Sequence, residues 1–210
     1  MRRFVCCLMF SLATPCFAQD SEPERGWYVG GGATYTTVGG SHNSTIFSEN
    51  DMGGATGFVA TGGYRLGDIF AVEINYIASG DARFTTIDNS PLADPEFSTV
   101  DGSQDTRTAM LTVLAIAPLD PVELFAKAGA AFWDASSDLV LTPSMPGDPI
   151  DRQVNASGTN FVFGVGAGLG IGENVHVRFS AHLYGVDEEL FATSSYVSIN
   201  EFLFELHWRF

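Results

Sequence analysis

The chain has 210 residues, a length compatible with one domain, and it combines a hydrophobic fraction of 45% with a formal net charge of −15. Only 10 residues are basic against 25 acidic, which argues against a phosphate-binding basic face and so against a nucleic-acid partner. Mean hydropathy is +0.12, so apolar and acidic residues must be separated finely rather than into a core and a tail.

Residues 1–18, MRRFVCCLMFSLATPCFA, start with Arg2 and Arg3, continue with an apolar stretch and place small residues at Cys16 and Ala18. That is the pattern of a signal peptide, with cleavage expected after Ala18. The apolar stretch is too short for a membrane anchor. Pro15 before Cys16 departs from a lipoprotein signal. Cleavage removes Cys6, Cys7 and Cys16, so the mature domain, residues 19–210, has no disulfide or thiolate chemistry and holds 8 basic residues against 25 acidic.

Period-two alternation runs through the mature chain and predicts strands at 26–37, 55–65, 69–79, 106–117, 122–134, 158–171, 175–185 and 197–210. The connections after the second, fourth and sixth strands are short and the others long, so the long loops share one end. The most helix-like stretch, Thr108–Leu119, has twelve residues and reaches a proline, far short of the roughly 20 that cross a bilayer as a helix.

Each strand has one greasy face. In the third, Phe70, Val72, Ile74 and Tyr76 oppose Ala71, Glu73 and Asn75. The fifth sets Leu124, Ala126, Ala128, Ala130 and Phe132 against Phe125, Lys127, Gly129 and Ala131. In FVFGVGAGLGI, Phe161, Phe163, Val165, Ala167, Leu169 and Ile171 oppose four glycines. The seventh sets Val175, Val177, Phe179, Ala181 and Leu183 against His176, Arg178, Ser180 and His182. Last come Phe202, Phe204, Leu206, Trp208 and Phe210, opposite Glu201, Leu203, Glu205, His207 and Arg209. The fourth is apolar on both faces, and its register stays open.

An eight-stranded barrel is too narrow to hide so many rings inside, so a soluble barrel gives way to an all-β, antiparallel up-and-down transmembrane barrel with apolar residues facing lipid. Trp27, Tyr64, Phe70, Trp208 and Phe210 fall at the short-turn ends, while Tyr35, Phe58, Tyr76, Phe132 and Phe161 fall at the long-loop ends, as two aromatic girdles.

The segments GWYVGGGATY, GGYRLGDIFAVEINYIASG, LFAKAGAAFWDA, VFGVGAGLGIGENVHVRF and the terminal FELHWRF make the mature chain resemble the OmpA-like transmembrane domain family of eight-stranded outer-membrane barrels. The resemblance implies a protein of the Gram-negative outer membrane, with periplasmic turns and outward loops. It also implies that the alternating aromatics ending at Phe210 are an assembly signal for the barrel-assembly machinery. Glu73, Lys127 and Arg178 correspond to inward charges that pair inside such barrels. Two lumen cations in any case need an acid within reach. Glu123, Glu201, Glu205 and Arg65 are expected nearby. The lumen is expected to be plugged, because eight strands leave little room for a channel; a narrow ion channel is the alternative.

Catalysis is not expected. His42, Ser44 and Glu49 supply the residue types of an activated serine for a lipid-modifying enzyme, but His42 sits in a Gly/Ser/Asn-rich loop rather than on a rigid strand end. No metal-ligand spacing and no cofactor motif is present. The expected loops are acidic: Asp81, Asp88, Asp94, Glu96, Asp101 and Asp105 against Arg83, then Asp138, Asp148 and Asp151 against Arg152, then Asp187-Glu188-Glu189. They are candidate sites for an extracellular partner. The expected state is a monomer embedded in outer-membrane lipid.

Overall fold

The computed structural model describes residues 25–40, 47–52, 54–88, 97–143, 146–171, 174–186 and 197–210. They form strands β1 (Gly26–Gly40), β2 (Phe47–Met52), β3 (Ala55–Arg65), β4 (Phe70–Asp88), β5 (Phe97–Leu119), β6 (Val122–Pro143), β7 (Ile150–Gly170), β8 (Val175–Val186) and β9 (Val197–Arg209). All pairings are antiparallel. Eight strands close a ring in the order β4-β3-β1-β9-β8-β7-β6-β5, with β5 returning to β4; β2 adds a short ladder to the far end of β4. Closure brings the first and last strands together. Tyr28 pairs with Arg209, and the Phe210 N–H donates to the Trp27 carbonyl at 3.0 Å.

The greasy face points outward on every ring strand. On β5, Ala109, Leu111, Val113 and Ala115 are exposed, while Met110, Thr112 and Leu114 are buried. This fixes the register that the sequence left open. The inward face is where the core lies. Val59, Ile77, Met110, Ala131, Trp133, Val162, Tyr184, Ile199 and Leu203 make one buried layer, and Tyr28, Ala71, Leu114 and Phe125 make a smaller one nearer the short turns. Glycines admit the large members. A Cβ on Gly63 would stand 2.3 Å from the Tyr28 ring, and one on Gly158 would stand 2.7 Å from Trp133.

The expected strands stop too early at the long-loop end. Much of the supposed second and third loops is ladder: Ile87 pairs with Thr99, and Leu141 with Ile150. Asp81, Asp88, Asp101, Asp105, Asp138 and Asp151 therefore lie on strands, and Asp148 in the connection between β6 and β7. A ladder needs backbone partners, not greasy side chains, so it runs past the level where lipid imposes an apolar face. Thr85, Thr86, Ile87, Thr99 and Val100 suit an extended chain there. Asp94, Glu96 and Asp187-Glu188-Glu189 lie outside the described residues.

Candidate functional site

The inward face of the ring carries the chain's concentrated polar chemistry. Residue 73 falls on that face of β4 because Ile74 and Tyr76 alternate outward, and the same logic aims Lys127 from β6 and Arg178 from β8. The three meet. Arg178 Nη1 donates to Glu73 Oε1, and Lys127 Nζ lies 3.3 Å from Glu73 Oε2. Tyr28 donates its hydroxyl to Glu73 Oε1 at 2.7 Å. All four are buried, so the carboxylate is saturated by two cations and a phenol. The Arg178 guanidinium also rests 4.2 Å from the centroid of the Phe125 ring.

Beside this cluster, Thr61 donates to Glu205 and receives a hydrogen bond of 2.8 Å from Asn75 Nδ2. His207 Nε2 is 3.3 Å from Glu205 Oε1. Toward the long loops, Tyr184 donates to Glu201 at 2.9 Å and sits 3.0 Å from the Thr108 hydroxyl, while His182 Nδ1 is 3.7 Å from Glu201. At the short-turn mouth, Glu123 accepts from Arg65 at 2.8 Å and from Arg209 at 3.1 Å. Behind those residues lies a cavity of about 10 Å³.

Sequence reasoning placed Glu73, Lys127 and Arg178 on one face, but it missed Tyr28 and the pairing of His207 with Glu205. The signal for Tyr28 was present: Trp27 faces outward at 66% exposure, so its neighbour must face inward.

The ring residues named as girdles stand as follows. Trp27, Phe70, Trp208 and Phe210 are exposed at the short-turn end, with Tyr64 half-buried edge-on to Trp27 at 4.9 Å. Tyr35, Phe58, Tyr76, Phe132 and Phe161 are exposed toward the other end, and Phe58 and Tyr76 lie 6.2 Å apart. His42 and Ser44 lie outside the described residues; Glu49 is on β2. Among the described residues, no group of three or more His, Cys, Asp or Glu is arranged to hold a metal ion.

Several solved structures share this architecture. The outer membrane protein OprG of Pseudomonas aeruginosa has a TM-score of 0.57 at 9% identity, over 90% of this chain and 97% of that one. Neisserial surface protein A gives 0.52 at 15% identity, over 88% and 97% of the two chains. Ail, the attachment invasion locus protein of Yersinia pestis, gives 0.51 at 14% identity, over 89% and 100%. At such identities the likeness extends to the fold. No curated protein sequence matches the chain. The model of the outer membrane protein β-barrel domain family matches residues 4–210, and with the lipid-facing ring described above it makes the chain a member of that family, resident in the cell outer membrane.

Proposed function

We propose that this barrel is a structural and surface-interaction protein whose lumen is plugged and whose recognition chemistry lies on the acidic strand ends and loops outside the membrane. One observation carries the reading: the lumen is crossed by a charge cluster centred on Glu73 and by a packed layer holding Trp133, Met110 and Tyr184, so the interior is occupied by the protein's own side chains. Specificity then belongs to the exposed ends of β4 to β7, where Asp81, Asp101, Asp105, Asp134, Asp138 and Asp151 outnumber Arg107 and Arg152. Ail has been crystallised with the heparin analogue sucrose octasulfate. The acidic ends of this chain suit the opposite sign, a basic protein surface rather than a sulfated sugar. We assign the protein no catalytic role and no cofactor.

The second reading is a narrow ion channel, and it is favoured by one feature, the ion pairs on the inward face in place of an all-apolar filling. Two measurements separate the readings. Reconstituted protein in a planar bilayer should be silent, and trimming β4–β5 and β6–β7 back to the girdle should abolish binding to basic protein partners while leaving the heat-modifiable gel shift of the folded barrel. Steady unitary conductance by the parent would instead establish the channel.

A further inference from the structure

We propose that the outer end of the β6–β7 hairpin is a docking knob for a basic amphipathic segment of another protein, one that presents apolar side chains flanked by Lys or Arg. The inference rests on the surface-interaction reading above and names the place and the partner's chemistry. Phe132 is the last aromatic on the outward face of β6, and the residues that follow on that face, Asp134, Ser136 and Asp138, are polar, as expected of a strand that has left lipid. Then the chain turns apolar again. Val140 is 39% exposed and Ile150, across the hairpin, is 50% exposed, while Leu139 and Leu141 are half-buried. Val140 lies eight residues past Phe132, or roughly 26 Å of strand, and none of the four belongs to either buried layer of the lumen. Neither lipid nor the core accounts for them.

Charge selects the occupant. Asp101 of β5 and Asp151 of β7 are the cross-strand partners of Val140, so they share its face, and Asp138 precedes it by two residues on the same strand. Asp148 stands in the connection, two residues before Ile150. All four aspartates are exposed, and residues 138–152 contain one basic residue, Arg152. An apolar centre inside a charged rim is the layout of a protein–protein contact, and an acidic rim is matched by Lys and Arg. A second copy of this chain would set like charges face to face, and an anionic lipid surface repels the same rim. Pro143, Pro146 and Pro149 stiffen the connection, so less conformational freedom is lost when a partner seats on it.

Three synthetic peptides are the probes: one patterned in Leu and Lys, one with Glu in place of Lys, and one with Ser in place of Leu. The barrel in phosphatidylcholine nanodiscs should bind the Leu/Lys peptide at least tenfold more tightly than either of the others, after subtraction of empty nanodiscs, and binding should weaken as salt is raised. Val140→Asn with Ile150→Asn should weaken it about tenfold without changing its salt dependence, whereas Asp101→Asn with Asp151→Asn should weaken it similarly and reduce that dependence. The heat-modifiable gel shift checks that each variant is folded, and the comparison among peptides needs no variant. Equal binding of the Leu/Glu peptide, a signal matched by empty nanodiscs, or unchanged affinity in either variant would overturn the proposal. So would a parent that binds none of the three. The surface-interaction reading fails on a different result, retention of basic-protein binding by the trimmed barrel.

Discussion

At the residue scale, the lumen behaves as a set of mutual obligations. Glu73 answers two cations and a phenol, so removing it alone leaves the buried Lys127 and Arg178 without their shared carboxylate. Breaking such a buried arrangement from one side costs about 3–5 kcal/mol, whereas replacing all partners with neutral groups of similar size is far milder. Glu73→Ala should therefore unfold at clearly lower urea in lipid vesicles than the variant that also neutralises Lys127 and Arg178. A double-mutant cycle with near-zero coupling for both pairs would refute this. Packing imposes similar obligations. Gly62 and Gly63 are neighbours on β3, yet a Cβ on Gly62 meets nothing within 4 Å while one on Gly63 meets the Tyr28 ring. Gly63→Ala should cost roughly 1–3 kcal/mol through overpacking, and Gly62→Ala much less. Equal costs for the two would mean that Tyr28 does not lie across Gly63.

At the element scale, β5 shows what alternation can and cannot tell. Its inward residues Met110 and Leu114 belong to the two buried apolar layers, so hydrophobicity does not distinguish its lumen face from its lipid face. Only pairing with β4 and β6 settles which side is which. Strands such as β8 were legible because Arg178, Ser180 and His182 mark the lumen plainly. The register of β5 yields a test: Val113→Arg, on the exposed face, should cost about 2–4 kcal/mol if that level is mid-bilayer, and an unchanged folding midpoint would place Val113 elsewhere.

The same element was illegible at its upper end for a different reason. Above Ala109 the strand leaves the apolar belt, and Asp105 and Asp101 read as loop although they are paired with Ser136 and Val140. There Asp105 has its carboxyl raised above the ordinary range, first by the hydrogen bond it shares with Asp81 and then by desolvation and the charge of Asp81. A raised acid holds its proton longer folded than unfolded, so the stability it adds is full below the unfolded value and is lost as pH rises through the folded one. Thermal unfolding of the parent should therefore weaken as pH rises from the ordinary aspartate range, and Asp105→Asn should flatten that part of the profile. An identical profile in the variant would remove Asp105 from the account.

At the scale of the whole molecule, the first and last strands form one seam. β9 pairs with β1 along its length, and the last residue reaches the first strand through the Phe210 N–H and the Trp27 carbonyl. Phe210 is itself 76% exposed, so its ring contributes little to internal packing and one seam hydrogen bond is a small share of the ladder. We propose that the Phe210 ring serves recognition during assembly as well as facing lipid with Trp27 and Trp208, and the two contributions are separable. Deleting Phe210 should reduce outer-membrane levels sharply in cells and leave unfolded protein to periplasmic proteolysis. The same deletion should refold in vitro into lipid vesicles with nearly the parent's yield and urea midpoint. Unchanged outer-membrane levels would end the assembly-signal reading. A refolding deficit as large as the cellular one would instead make Phe210 a structural part of the seam, held by the ladder that closes the ring.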